Sequence, residues 1–200
     1  MLSFESLLGL VAFALVSSIT PGPNNVMLLA SGVNFGFKQT IPHMLGISFG
    51  FFILALASGL GVGVFLQQFP ALHMALKVIS ALYLVYLAIK IARDRSISDN
   101  ESTDKKPLTF LQAALFQWVN PKAWMIAISA MIIFGQSSPS LAHISWIALV
   151  FSVVGLPCIA IWAVFGMLLK QLLSQPVYLK WFNISMGALL IASIYPVFYG

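Results

Sequence analysis

Thr20-Pro21-Gly22-Pro23-Asn24-Asn25 interrupts an apolar run that extends from about Phe4 to Ala30. A run of that length crosses a bilayer as a helix, at about 1.5 Å of rise per residue. Within it, two prolines remove two backbone donors, and their rings clash with the carbonyls of Ser17 and Ile19, four residues back. Thr20 and Gly22, each ahead of a proline, are pushed out of helical geometry. The stretch reads as half-helix, break, half-helix. Pro23 suits the first turn of the second half, where a missing N–H costs nothing. In hydrocarbon a freed carbonyl is expensive unless it faces protein or a water-filled cavity. The break is therefore expected to line a site.

The surrounding composition fixes the solvent. The 200 residues are 60% hydrophobic and 8% charged, with mean hydropathy +0.98. Soluble domains carry about a quarter charged residues, so this is read as an integral membrane protein. Glu5 is the only early charge. Without a basic leading segment, the N-terminal run reads as a span and not as a cleaved signal. The net charge of +5 fits a positive-inside bias better than nucleic-acid binding. A single cysteine, Cys158, excludes an intramolecular disulfide.

Six stretches are long and apolar enough to span, at about 4–30, 40–66, 71–92, 109–134, 142–168 and 181–199. One polar loop, 94–107, holds four of the five acids and cannot bury a core. It separates residues 1–93 from 108–200, three spans each. Lys38, then Lys90, Arg93, Arg95, Lys105 and Lys106, then Lys170 and Lys180 cluster at the first, third and fifth connections. Those connections are expected in the cytoplasm and both termini outside.

The halves resemble each other. Pro21 and Pro121 lie mid-span 100 residues apart, each with a nearby Asn, and Leu76-Lys77 and Leu179-Lys180 open the third and sixth spans. The expected fold is all-α, six transmembrane helices forming two inverted three-helix repeats, with helices 1 and 4 broken. Transporters use that symmetry for alternating access, with a site near the midplane. Gly46, Gly50, Ser58, Gly59, Gly61 and Gly63 are read as close helix contacts. Trp146, Trp181, Tyr195 and Tyr199 are read as interfacial anchors.

Candidate binding residues follow from the two breaks. Ser17, Thr20 and Asn24 share a helical face across the first, together with Pro21, Gly22 and Pro23. Gln117 and Asn120 precede Pro121 and Lys122 at the second. Lys122 is the only charge near the middle of a span. Centring a lysine costs roughly 3 kcal/mol, so a functional role is the default. Its alternative, snorkelling to the membrane surface, requires a reach of roughly 20 Å from the start of the span.

Thr20-Pro21-Gly22-Pro23-Asn24 with Asn120-Pro121-Lys122 resembles the LysE/RhtB family of amino-acid exporters, over essentially the whole chain. Gly36-Phe37-Lys38-Gln39 and Gly46-Ile47-Ser48-Phe49-Gly50 look closest to its cysteine and O-acetylserine exporter branch. The resemblance implies a bacterial inner-membrane protein that exports a small amino acid, driven by an ion gradient. The chain has no nucleotide-binding phosphate loop.

A zwitterion needs two partners. Lys122, or the half-helix N-terminus near Pro23, suits the carboxylate. The carbonyls freed at Ser17, Ile19 and Gln117, with the amide oxygens of Asn24 and Asn120, suit the ammonium. No Asp or Glu lies between Ser6 and Arg93 or after Asp104, so neutral amino acids are favoured over cationic ones. The lack of membrane carboxylates leaves proton coupling without an obvious carrier. His43, after Pro42, titrates in the right range but is read as an interfacial residue without that role. His73 and His143 are given none.

Disulfide relay, metal efflux and intramembrane hydrolysis are disfavoured. A second cysteine, a cluster of metal ligands and an activated nucleophile are each missing. The expected partners are a small amino acid and membrane lipid, with no cofactor, metal or nucleic acid, and a homo-oligomer is compatible. The rival readings are a structural or assembly subunit, or an exporter of another small metabolite. The breaks argue against the former.

Overall fold

The computed structural model describes residues 3–94, 106–135, 139–173 and 175–195, the side chains at 64, 66, 67 and 73 excepted. The expectations for residues 95–105 of the polar loop, for the side chain of His73 and for Tyr199 lie outside the described residues. What is described is all-helical. The elements are α1 (Phe4–Ile19), α2 (Pro23–Gly59), α3 (Val62–Gln68), α4 (Pro70–Ala92), α5 (Phe110–Phe116), a 3-10 turn (Gln117–Val119), α6 (Pro121–Phe134), α7 (Leu141–Leu172) and α8 (Pro176–Ala192). Of these, α2, α4 and α7 are long and apolar enough to cross a membrane, and α1, α6 and α8 are shorter apolar helices.

Both breaks are present. The first lies between α1 and α2, with Thr20 and Gly22 extended. The second lies between the 3-10 turn and α6, with Asn120 extended at φ −92° and ψ 106°. Pro23 and Pro121 open the first turns of α2 and α6, and Pro21 lies within the first break.

Two span boundaries differ from the sequence reading. The first and second spans are not parted by a loop over 31–39. Helix runs through this region and is interrupted only at Gly36, with φ 78° and ψ 173°, a left-handed backbone that glycine adopts without strain. Nothing sterically crowds Gly36, so its backbone conformation is what the position requires. The second stretch stops at Gly59 rather than continuing to 66. Leu60 and Gly61 (φ 97°) turn the chain into α3.

Small residues set the packing. A side chain at Gly46 or Gly50 would strike the α5 backbone at Phe110 and Ala114, and one at Gly59 would strike Ile144 of α7. The sequence reading of these three glycines as contacts therefore holds, but not that of Gly61, where a Cβ would meet nothing within 4 Å and which serves the turn instead. It missed the closest crossing. Gly32 of α2 lies against the Ala163 carbonyl of α7, and Gly166 of α7 against the Leu29 carbonyl of α2. The Phe13, Phe51, Phe134 and Phe151 rings fill the space among α1, α2, α6 and α7. Trp146, Trp181 and Tyr195 are exposed on the outer surface, where interfacial anchors belong.

Candidate functional site

The first break is closed largely by its own residues. Thr20 Oγ1 donates to the Ser17 carbonyl (3.0 Å). Asn25 Nδ2 donates to the carbonyls of Ser18 (3.0 Å) and Thr20 (2.7 Å). The Ile19 carbonyl accepts from the Trp162 indole of α7 (3.2 Å). At the second break the Gln117 carbonyl accepts from the Asn120 amide (3.3 Å). The carbonyls that the sequence assigned to a substrate ammonium, on Ser17, Ile19 and Gln117, are thus already partnered. Each proline displaces a hydrogen bond, and a nearby side chain or amide replaces it, as membrane burial demands.

Lys122 joins the breaks. Its ammonium donates to the Thr20 carbonyl (2.5 Å), Thr20 Oγ1 (2.9 Å) and the Pro21 carbonyl (3.2 Å). An ammonium has three donors, and here each meets an oxygen of the first break. Lys122 therefore does not snorkel away from its own helix start. Gly22 makes room for it, since a Cβ there would sit 2.5 Å from Lys122 Cδ.

A second cross-link runs the other way. Asn24 Nδ2 donates to Gln117 Oε1 (2.8 Å), and Gln117 Nε2 donates to Asn24 Oδ1 (3.2 Å) and to the Ala113 carbonyl (2.9 Å). The α5 start that carries Gln117 is fixed by a capping box between Thr109 and Gln112. Asn120 Nδ2 lies 3.5 Å from Gln117 Oε1. Its Oδ1 is buried and has no hydrogen-bond partner.

These groups border one cavity, with a void of about 520 Å³ including its open mouth. Asn24 and Asn25 from the first turn of α2, and Lys122 and Ala123 from that of α6, all line it. First-turn N–H groups lack intrahelical partners, and neither Gly22 nor Asn120 caps its helix through a side chain. Two positive helix ends thus converge on one space. Ser17, Gly22 and Asn120 also line the cavity. The other sequence candidates do not. Thr20 and Pro21 hold Lys122 from its far side, Gln117 backs Asn24, and Pro23 and Pro121 start the half-helices.

Two residues were missed. Ser48 of α2 and Ser152 of α7 line the opposite wall beside Phe51 and Phe151. Ser48 Oγ donates to the Ser152 carbonyl (3.0 Å), and Ser152 Oγ is buried without a partner. A lone serine in an apolar span reads as a packing residue, so the only available signal was Ser48's place inside the Gly46–Gly50 pair. Among the described residues no carboxylate lines the cavity. Among the described residues no cluster of His, Cys, Asp or Glu is suited to a metal ion.

Residues 15–193 match the family described as LysE type translocator. Proteins named cysteine/O-acetylserine efflux protein are similar over nearly their whole length. That of Escherichia coli strain K12 is 30% identical over 191 residues, 94% of each chain, and that of Escherichia coli O157:H7 is 31% identical over the same span. No solved structure matches.

Proposed function

This chain belongs to the LysE translocator family, and from that premise we propose that it exports a small neutral amino acid or derivative, driven by the proton gradient. Cysteine, O-acetylserine, threonine and homoserine are the leading class, and the bacterial inner membrane is the site of action. The observation that carries this reading is the cavity between the breaks. Two helix N-termini and the Lys122 ammonium offer a carboxylate its partners, and the unpartnered Asn120 Oδ1 and Ser152 Oγ offer acceptors to an ammonium. Without a carboxylate in its lining, the cavity gives a second positive charge no counter-ion.

Lys122 has a specific part in the cycle. With all three donors on the first break, its ammonium holds the halves together. A substrate carboxylate takes over the longest contact, that to the Pro21 carbonyl, and loosens the cross-link. Binding and opening are thereby linked through one side chain. The arrangement of the helices supports an inverted repeat, since α2 packs along α7 and α4 packs on α8. The same helices break at matching points in the two halves.

Efflux from cells that overproduce the protein, preloaded with a panel of amino acids, tests the reading. Faster loss of cysteine, O-acetylserine, serine, threonine or homoserine is expected, with lysine and arginine unaffected. Efflux of lysine or arginine alone would overturn it. Orientation has its own measurement. Reporters active only in the cytoplasm should give signal when fused near Ser98 and none at Gly200. The opposite pattern would reverse the inferred direction of transport.

A further inference from the structure

His43 was expected at the membrane surface, yet only 1% of it is exposed, and neither ring nitrogen has a hydrogen-bond partner. Leaving a buried polar group unpartnered is costly, so an imidazole held this way calls for a reason. It borders a second cavity, separate from the one between the breaks. This cavity lies at the far end of residues 23–35 of α2 and is walled by Ser31 and Asn34, by Leu87 and Lys90 of α4, and by Lys106.

We propose that His43 is the proton carrier of the transport cycle and releases its proton to water in this second cavity. The proposal rests on the export reading and assigns the coupling residue that the missing membrane carboxylates left vacant. His43 lies just past the two features that interrupt α2, the left-handed Gly36 and Pro42, which removes a backbone donor, and they form a natural pivot. A hydroxyl chain spans the pivot. Thr40 Oγ1 donates to the Gly36 carbonyl (2.8 Å), so the Ser31–Thr40 contact (2.8 Å) has Ser31 as donor. Ser31 Oγ then keeps its lone pairs on the cavity it shares with His43, as acceptors for an imidazolium N–H. The neighbouring Asn34 is committed elsewhere, bonded to Asn183 and to the Ala30 carbonyl.

The charged groups on the cavity are Lys90 and Asp94 at the end of α4 and Lys106 ahead of α5, and its other described walls carry none. Two ammoniums against one carboxylate favour loss of the proton on this side. With no acceptor in contact, the described conformation suits the neutral imidazole. Protonation favours a conformation in which α2 has moved at its pivot and opened the cavity. The step is a plain proton transfer from an imidazolium N–H to water, in exchange for one substrate moving outward.

Two measurements decide it. In proteoliposomes loaded with radiolabelled L-cysteine or O-acetyl-L-serine, the exit rate is compared with and without a pH gradient, acid outside. The ratio should exceed one for the wild type and fall to one in His43→Gln and His43→Asn. Acceleration equal to wild type in both variants, or a wild type indifferent to the gradient, would overturn the proposal. The second measurement needs no transport. Leu87→Cys, in a Cys158→Ser background, reports opening of the cavity through labelling by a membrane-impermeant maleimide. Its labelling at pH 6 relative to pH 8 should be at least severalfold greater than in the same protein carrying His43→Gln. Equal ratios would refute the carrier role. A wild type that moves neither substrate would count against the export reading alone, and the labelling would then decide the role of His43. It decides likewise if neither His43 variant yields active protein.

Discussion

Lys122→Met is expected to abolish export while leaving the protein inserted. Met keeps much of the stem and removes the ammonium that holds Thr20 and Pro21. A hydrogen bond to a charged group contributes about 1.5–3 kcal/mol, so losing even one at the transition between states slows transport roughly ten- to a hundredfold. Insertion is not harmed, because removing a charge at mid-span relieves a cost of roughly 3 kcal/mol. Lys122→Arg should retain part of the activity. The charge survives, but the planar head is bulkier and must fit beside the Gly22 backbone, where even a Cβ would sit 2.5 Å from the Lys122 stem. Initial efflux rates at matched protein level are the measurement. Normal export by Lys122→Met would end the role assigned to this side chain and leave carboxylate binding to the two helix ends.

The second large effect is on stability. Gly166→Ala places a methyl group against the Leu29 carbonyl and the Val33 amide, and Gly32→Ala places one against the Ala163 carbonyl. Backbone cannot swing aside as a side chain can, so α2 and α7 must separate. Overpacking of this kind costs typically 1–3 kcal/mol. In a chain of this size each kcal/mol lowers the melting temperature by about 2–4 °C. Gly155→Ala provides the control, since its methyl group meets only the Ser18 side chain, at 3.0 Å or more. Thermal unfolding in detergent should show Gly166→Ala well below both wild type and Gly155→Ala. Three coincident curves would mean the crossing is looser than described.

What could be read in the sequence was what covalent chemistry dictates locally. Proline cannot donate, so both breaks were evident from Pro21, Pro23 and Pro121, and mid-span Lys122 marked itself by its cost in hydrocarbon. The partners of the freed groups were not evident, because they arise from folding. Nothing about Trp162 announces that its indole will reach Ile19, 143 residues away in sequence. Ser48 and Ser152 were hidden because a small hydroxyl suits close packing as well as it suits a site. Gly36 was hidden for a different reason. The sequence placed a connection near it, but a single left-handed residue can reorient a helix without any polar run to mark the spot. His43 was misplaced on the same account, since a loop at 31–39 would have left it near the surface.

The cross-wiring of the breaks also bears on how the chain is made. Among the described residues the Pro21 carbonyl finds its donor in Lys122, 101 residues later. At about 5–20 residues per second the ribosome needs on the order of ten seconds to supply it. Through that interval the nascent first segment has Asn25 to cover Ser18 and Thr20 but nothing described for Pro21 or Ile19. Such a segment rests most cheaply where water can still reach those oxygens. Its final depth in the bilayer is then set late, when the second half is synthesised and docks against it.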